Sequence, residues 1–571
     1  MPITTSLRAR HLLLASLIAG AVAPSVAQAQ AIVGPADASR VQDRIARPQI
    51  SQMANDLVSV EGPPVVAAPA GADKISLTLQ AVNLEGATLY APDALSAAYA
   101  DKVGQKITVA DVYKIAAEIT RQYRNDGYIL TQVVVPPQTI DNGNVRLLVV
   151  EGVIGNVTIE GVDKESERKL IQSYADQLKD RPLKTSELEK AILLINDLPG
   201  VSARAVISPS DAKVGAADMR VVVKRERMNW VLGMDNFGSR YLGPLEGQAS
   251  WAGNSLLGHN DRVVADLIYA PGGGVSRELA YGGLTFTQPV GPFGTTIELK
   301  AGYAATDPGF KLAQYDVNGY STTASLGVNQ PIIRTRALNL STYGLFDVRN
   351  NKTQSNIAHT TQDNVRALRL GTKLDFIDSF MSIAYTTMSA EIGQGISAFG
   401  ASDNNDANLS RARGNPQFTK LNVEVQRLQR LTSDINLLVG VKGQLSNDAL
   451  LSSEEFGVGG PNYGRGFDPS EVTGDDGVAG KVELQLSNPF ETTLVRSHQF
   501  YAFLDAGSVW NEDATTSADQ HMNVISTGLG VRTTLNTGTD AGLYVALPLR
   551  REVEALGNQD PRVYFNLNQK F

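Results

Sequence analysis

From about Glu226 to Phe571, apolar and polar side chains alternate with a period of two, and this most limits the folds open to the chain. In the terminal stretch Val563, Phe565, Leu567 and Phe571 fall on one face, and Tyr564, Asn566, Asn568 and Lys570 on the other. Val482, Leu484 and Leu486 alternate likewise with Lys481, Glu483, Gln485 and Ser487, as do Leu421, Val423 and Val425 with Lys420, Asn422 and Glu424. Two architectures fit: a soluble sandwich whose apolar face meets a second sheet, or a transmembrane barrel whose apolar face meets lipid around a wet lumen. Strand number and length favour the barrel. Sixteen strands can be laid out, near 226–237, 245–257, 260–270, 277–287, 293–304, 317–328, 337–349, 364–376, 380–393, 417–429, 434–446, 479–488, 498–509, 523–535, 541–550 and 561–571. The number is even, and many strands reach the roughly 9–11 residues that cross a bilayer obliquely, whereas soluble strands usually stop at about 5–6.

The N-terminus bears on the same choice. Residues 1–29 carry Arg8, Arg10 and His11, then an apolar run from Leu12 to Val26, then Ala27-Gln28-Ala29, which is the form of a cleavable signal peptide. Its apolar core is short of the roughly 20 residues of a spanning helix, and Pro24 interrupts it. Beyond it there is no run of 18 or more apolar residues, so a membrane-embedded form of this chain must be a closed barrel, in which every backbone polar group is paired internally.

Residues 30–74 read as a linker, with Gly62, Pro63, Pro64, Pro69 and Gly71 as breakers. Within it Ala38, Val41 and Ile45 have helical spacing, so a short amphipathic helix over Asp37 to Arg47 and disorder are both open. Residues 75–225 contain a repeat in the order β-α-α-β-β. The first copy, 75–152, predicts a strand at Ile75 to Leu84, helices at Asp93 to Val103 and Thr108 to Asn125, and strands at Tyr128 to Val135 and Val145 to Val150. The second, 153–225, predicts a strand at Val157 to Val162, helices at Glu165 to Leu178 and Ser186 to Asp197, and strands at Ala203 to Ile207 and Met219 to Val223. The fold class expected is an all-β barrel of 16 antiparallel strands, residues 226–571, preceded by two small α+β modules.

Composition removes several functions. The 51 basic and 59 acidic residues give a net charge of −8, without the basic excess of a nucleic-acid binder. With no Cys there is no disulfide scaffold, thiolate zinc site or cysteine nucleophile. The histidines stand apart at 11, 259, 359, 498 and 521, and neither a Gly-x-Ser-x-Gly elbow nor a phosphate-binding loop is present. No enzyme, metal or cofactor is expected, and binding and conduction are the better reading.

Four stretches carry a resemblance: Tyr128-Ile-Leu-Thr-Gln-Val-Val-Val-Pro-Pro-Gln138, Val149-Val-Glu-Gly-Val-Ile-Gly155, Asn196-Asp-Leu-Pro-Gly-Val201 and Asp235-Asn-Phe-Gly-Ser-Arg-Tyr241. With them the chain resembles the outer-membrane transporters of two-partner secretion, of the haemolysin- and haemagglutinin-secretion type. The resemblance implies that the two modules are periplasmic POTRA domains before a sixteen-stranded barrel. In the longest predicted outer connection, Ser452 to Gly480, the tip Gly464-Arg465-Gly466-Phe467 is similar to the superfamily's Arg-Gly-Tyr or Arg-Gly-Phe tip. The resemblance implies that it folds into the barrel onto an acidic wall residue in a Phe-x-Asp stretch, here Phe503-Leu504-Asp505. Strand alternation puts Asp505, Phe503 and Tyr501 on the lumen side, and an Arg fork can grip a carboxylate through two parallel bonds. The resemblance also makes the 37–47 helix a pore plug and Phe571 a terminal signal for the barrel assembly machinery.

The expected function is export of a large, unfolded partner protein from periplasm to cell surface, by a monomeric barrel in the outer membrane of a Gram-negative bacterium. An assembly factor for other barrels, a passive porin or receptor, and a secreted binding protein are the alternatives.

Overall fold

The computed structural model describes residues 34–41, 58–59, 66–210, 215–273, 277–356, 359–487, 494–514 and 516–571. The expected signal peptide and residues 42–47 of the expected plug helix lie outside these.

In the first module the helix Val109–Asn125 starts on a capping box: Thr108 Oγ1 accepts from the Asp111 amide at 3.2 Å, and Asp111 Oδ2 accepts from the Thr108 amide at 2.9 Å. Its stripe of Val112, Ile115, Ile119 and Tyr123 is buried against Val133, Val145, Leu147 and Val149, at roughly 1.5–3 kcal/mol for each large side chain. The sheet orders Ala81–Glu85, Asn144–Val150 and Gln132–Val134. Two expectations are corrected. The strand foreseen over 75–84 breaks where Leu79 turns into the core: Ser76–Thr78 pairs with Lys106–Thr108, and Ala81–Glu85 with Asn144–Val150. The helix foreseen over 93–103 is one α turn, Pro92–Leu95, followed by 3-10 turns at Ser96–Ala98 and Ala100–Lys102. Only Leu95 in it is fully buried, too narrow an apolar face to hold a continuous helix.

The second module places helices Glu165–Asp176 and Thr185–Asn196 on the strands Val153–Glu160, Val201–Pro209 and Ala216–Arg225, around Ile171, Tyr174, Leu188, Ile192 and Val221. Val58–Ser59, from the stretch read as linker, adds a short parallel strand beside Ala205 and Val206.

The barrel comprises β1 (Met228–Asp235), β2 (Glu246–Asn254), β3 (Arg262–Pro271), β4 (Arg277–Val290), β5 (Thr295–Thr306), β6 (Asn318–Arg334), β7 (Leu338–Gln354) and β8 (Thr361–Asp378). It continues with β9 (Ala384–Gly395), β10 (Thr419–Arg430), β11 (Ile435–Ser446), β12 (Asp476–Ser487), β13 (Val495–Trp510), β14 (His521–Leu535), β15 (Thr539–Pro548) and β16 (Arg562–Lys570). All neighbours are antiparallel, and β16 closes on β1. β12 begins at Asp476, three residues before the expected 479. Leu421, Val423, Val425, Val482, Leu484, Leu486 and Leu504 are exposed on the outer face, while Lys420, Glu483 and Asp505 are buried inside, so the period-two faces hold.

The second module is fastened to the turns at its own end of the barrel. Gln177 Nε2 donates to Pro292 O at 2.8 Å, and Arg334, in the β6–β7 turn region, grips Asp197 with two bonds of 2.8 and 2.7 Å. Glu167 is buried at the junction, accepting from Arg227 Nη1 at 2.6 Å and Ser255 Oγ at 2.6 Å beside Arg225.

Candidate functional site

The connection 447–475 joins β11 to β12 at the barrel end away from the modules. It turns inward. Phe456–Val458 pairs with Val472–Gly474 as a small hairpin, and Phe456, Val458, Tyr463, Phe467 and Val472 bury against Ala479 of β12, Val509 of β13 and Val524 of β14. The reversal uses left-handed glycines: Gly459 has φ +126°, and a Cβ there would stand 2.1 Å from Asp468 O.

At the tip, the Arg465 guanidinium donates through Nε to Asp505 Oδ2 at 2.9 Å and through Nη2 to Asp505 Oδ1 at 2.7 Å, while Nη1 bonds Glu483. The Gly464 and Arg465 amides donate to Asp505 Oδ2 at 3.2 and 3.0 Å. The guanidinium also lies 3.6 Å from the centre of the Phe503 ring. Asp505 is wholly buried, so its charge is tolerated only because these donors surround it. Room for the ring comes from Gly528 on β14, where a Cβ would meet Phe503 Cζ at 2.5 Å.

The structure therefore unites Gly464, Arg465, Asp505 and Phe503. Phe467 packs in the apolar hairpin core rather than on the carboxylates, and a Cβ at Gly466 would lie 2.8 Å from Ser526 Cβ. Phe571 is remote from the loop. It is 70% exposed at the β1–β16 seam, where its amide donates to Trp230 O at 3.0 Å and its carbonyl accepts from Trp230 N at 3.2 Å.

Sequence reasoning did not assign Glu483, the second carboxylate, which also accepts from Arg532 Nη1 at 2.7 Å. Its signal was its place on the polar face of β12, in register with Phe503. Nor did it find the anchor at the loop base. Glu454 accepts from Arg369 Nη2 at 2.8 and 3.0 Å and pairs with Lys420 Nζ at 2.8 Å, on the inner faces of β8 and β10.

Residues 34–41 share the lumen. A single 3-10 turn, Ala38–Arg40, is capped by Asp37, and Ala38 and Val41 pack on Ala270, Leu279, Tyr281 and Ala304 of β3, β4 and β5. Arg40 donates to Ser452 O and lies 3.4 Å from Glu455, tying this segment to the loop.

Residues 215–533, more than half of the chain, match the family described as haemolysin secretion/activation protein ShlB/FhaC/HecB, and residues 77–152 match the POTRA domain of ShlB type. The chain belongs to this family. Among relatives of this transporter family, the heme/hemopexin transporter protein HuxB of Haemophilus influenzae (strain 86-028NP) is 24% identical over 79% of this chain and 80% of its own length. The outer membrane transporter CdiB of Escherichia coli O6:K15:H31 (strain 536 / UPEC) is 23% identical over 84% of this chain and 81% of its own. In fold, the solved structure of CdiB from Escherichia coli superposes with a TM-score of 0.71 at 19% identity, covering 89% of this chain and 94% of that one. The protein is thus an outer-membrane two-partner secretion transporter that exports a partner protein through its barrel, with its POTRA region in the periplasm.

Proposed function

We propose that the connection 447–475 is the gate of this transporter, held shut by Arg465 on Asp505 and Glu483, and that residues 34–41 are a second obstruction coupled to it through Arg40. The observation that carries this reading is the buried clamp itself. A Gly-rich tip has little reason to hold one shape, yet four donor contacts converge on one carboxylate in the lumen. A permanently open porin has no use for such a device, and the reading requires no chemical step by the protein.

Capture falls to the modules, where an unfolded segment of a large secreted partner adds as a strand. Main-chain bonds supply affinity and alternate side chains supply selectivity. Gln132–Val134 ends the first module's sheet, whereas the corresponding edge of the second carries Val58–Ser59, which favours the first module as the docking edge. No phosphate-binding motif is available to drive transport, so direction comes from folding of the partner outside, which removes it from the equilibrium. The exposed Phe571 at the end of β16 suits a terminal signal for the barrel assembly machinery, and one closed barrel suffices as a monomer.

Arg465→Ala and Asp505→Ala should each reduce secretion while the protein still migrates heat-modifiably as an assembled barrel. Undiminished secretion by both variants rejects the gate. Deleting 75–150 should abolish partner pull-down, and retained binding rejects the capture role.

A further inference from the structure

Removing Arg465 from the lumen creates a charge problem that the loop alone cannot solve. In the closed arrangement Asp505 and Glu483 are balanced by Arg465 and Arg532. Once the tip leaves, two carboxylates face one guanidinium, and Asp505 is the one stranded, because Arg532 is engaged by Glu483. An unpaired charge in such a place is costly, so the open state requires another cation.

One cation is placed for this. Lys481 on β12 stands directly across from Asp505 on β13, and Gly440 on β11 is its neighbour on the other side. Directly opposed residues have Cβ atoms about 4.5–5.5 Å apart, within easy reach of a lysine stem. In the closed structure Lys481 does not use that reach. Its side chain runs the other way, over Gly440, where an added Cβ would stand 2.9 Å from Lys481 Cε. Its ammonium sits 4.8 Å from the ring centre of Tyr463, a residue of the loop itself. Tyr463 is in turn fixed by donating its hydroxyl to Glu424 Oε1 at 2.9 Å. Among the described residues Lys481 forms no ion pair within 4.0 Å.

We infer that Lys481 is the positioning residue of the open state: when the loop withdraws, Arg465 vacates Asp505 and Tyr463 releases Lys481 in the same movement, and the lysine swings across to take over the carboxylate. The loop thus occupies the carboxylate and detains its replacement with residues two positions apart. Lysine suits the task because its compact charge rides on a flexible four-carbon stem, unlike the planar fork of arginine that locks the closed state.

The inference rests on the gate reading, and one set of measurements separates the two. Full-length Lys481→Met, Lys481→Gln, Lys481→Arg and Asp505→Asn variants, with Arg465→Ala for reference, are reconstituted in planar bilayers after heat-modifiable migration has verified assembly. Lys481→Met and Lys481→Gln should shorten open-state dwell times about fivefold, the lower range for directly coupled neighbours. Lys481→Arg should restore much of the dwell time, since it keeps the charge. In the Asp505→Asn background, Lys481→Met should add nothing, because no carboxylate remains to be neutralised. Wild-type dwell times for both uncharged variants overturn the inference, as does an equal loss with Asp505→Asn present. If Arg465→Ala leaves the channel as closed as wild type, the gate reading fails, whatever Lys481 does.

Discussion

Asn236 acts as a piece of strand. It follows the last residue of β1, and its side chain donates through Nδ2 to Val563 O at 2.9 Å and accepts from the Phe565 amide at 2.7 Å, lengthening the short β1–β16 seam by two bonds of backbone type. Gln138 does the same in the first module, exchanging bonds of 2.7 and 2.8 Å with the carbonyl and amide of Arg146. Glu151 accepts from the amides of Thr88 and Leu89 at 2.8 and 3.0 Å and from the Tyr123 hydroxyl at 2.9 Å. The following Gly152 is needed because a Cβ would stand 2.4 Å from Leu130 Cβ. Burial alone would raise the Glu151 carboxyl, but these donors hold it below its ordinary value. Asn236→Ala should cost about 1–3 kcal/mol at the seam, seen as a lower temperature for the heat-modifiable shift on gels. Glu151→Ala should lower the melting temperature of the modules, followed by far-UV circular dichroism, and leave the barrel transition in place. All three residues lie in the stretches by which the sequence resembles its family, yet their roles could not be read there. The partners of Asn236 are more than 300 positions away, and no local periodicity carries that information.

Elements were legible in proportion to how sharply their apolar and polar faces divide. The capping box and four-residue stripe of Val109–Asn125 declared that helix, and β10, β12 and β16 declared their faces through alternation alone. The stretch over 93–103 misled because helix-forming composition says nothing about docking, and only Leu95 is fully buried there, with Ala98 and Tyr99 packed at the edge of the core. How the second module joins the barrel was invisible for a related reason: Glu167 looks like any first-turn acid of its helix. In place, it is the carboxylate on which Arg227, Ser255 and Arg225 converge. Burial pushes its carboxyl up, but those hydrogen bonds and charges outweigh burial and leave it below the ordinary value. A carboxyl with a depressed folded value stabilises the docked arrangement at pH above its free value, roughly 4.3, and that stabilisation disappears as pH falls through the folded value. Spin labels on cysteines introduced into Glu165–Asp176 and the β2–β3 turn, clean in a chain without native Cys, should report a narrow distance distribution at pH 7. The distribution should broaden as pH falls below that free value. Glu167→Gln should be broad already at neutral pH, and if it stays narrow the carboxylate does not hold the joint.

At the scale of the molecule the lumen is spanned by a strut whose ends carry opposite charge. Its base presents Glu454 to Arg369 and Lys420, and its tip presents Arg465 to Asp505 and Glu483, so each end matches a different part of the wall. The sequence disclosed the tip, through its motif, but not the base, because Glu454 has no motif and its partners belong to β8 and β10. None of the strut's residues belongs to the strand ladder that closes the barrel, which runs from β11 straight to β12. Deleting 452–474 should therefore leave an assembled barrel, since the hydrogen-bonded wall and its lipid-facing side chains are untouched. It should not open the pore fully. Residues 34–41 remain packed on β3, β4 and β5, and they lose the Arg40 contacts to the loop and the approach of Gly34 to Ser470 and Thr473. Single-channel conductance should accordingly rise in two steps: a moderate increase for the loop deletion, and a larger, steadier conductance when residues 34–41 are removed as well. A full-size conductance from the loop deletion alone means that the N-terminal segment obstructs nothing once Arg40 is released. Equal conductance of the single and double deletions at a low value would place the constriction in the wall itself.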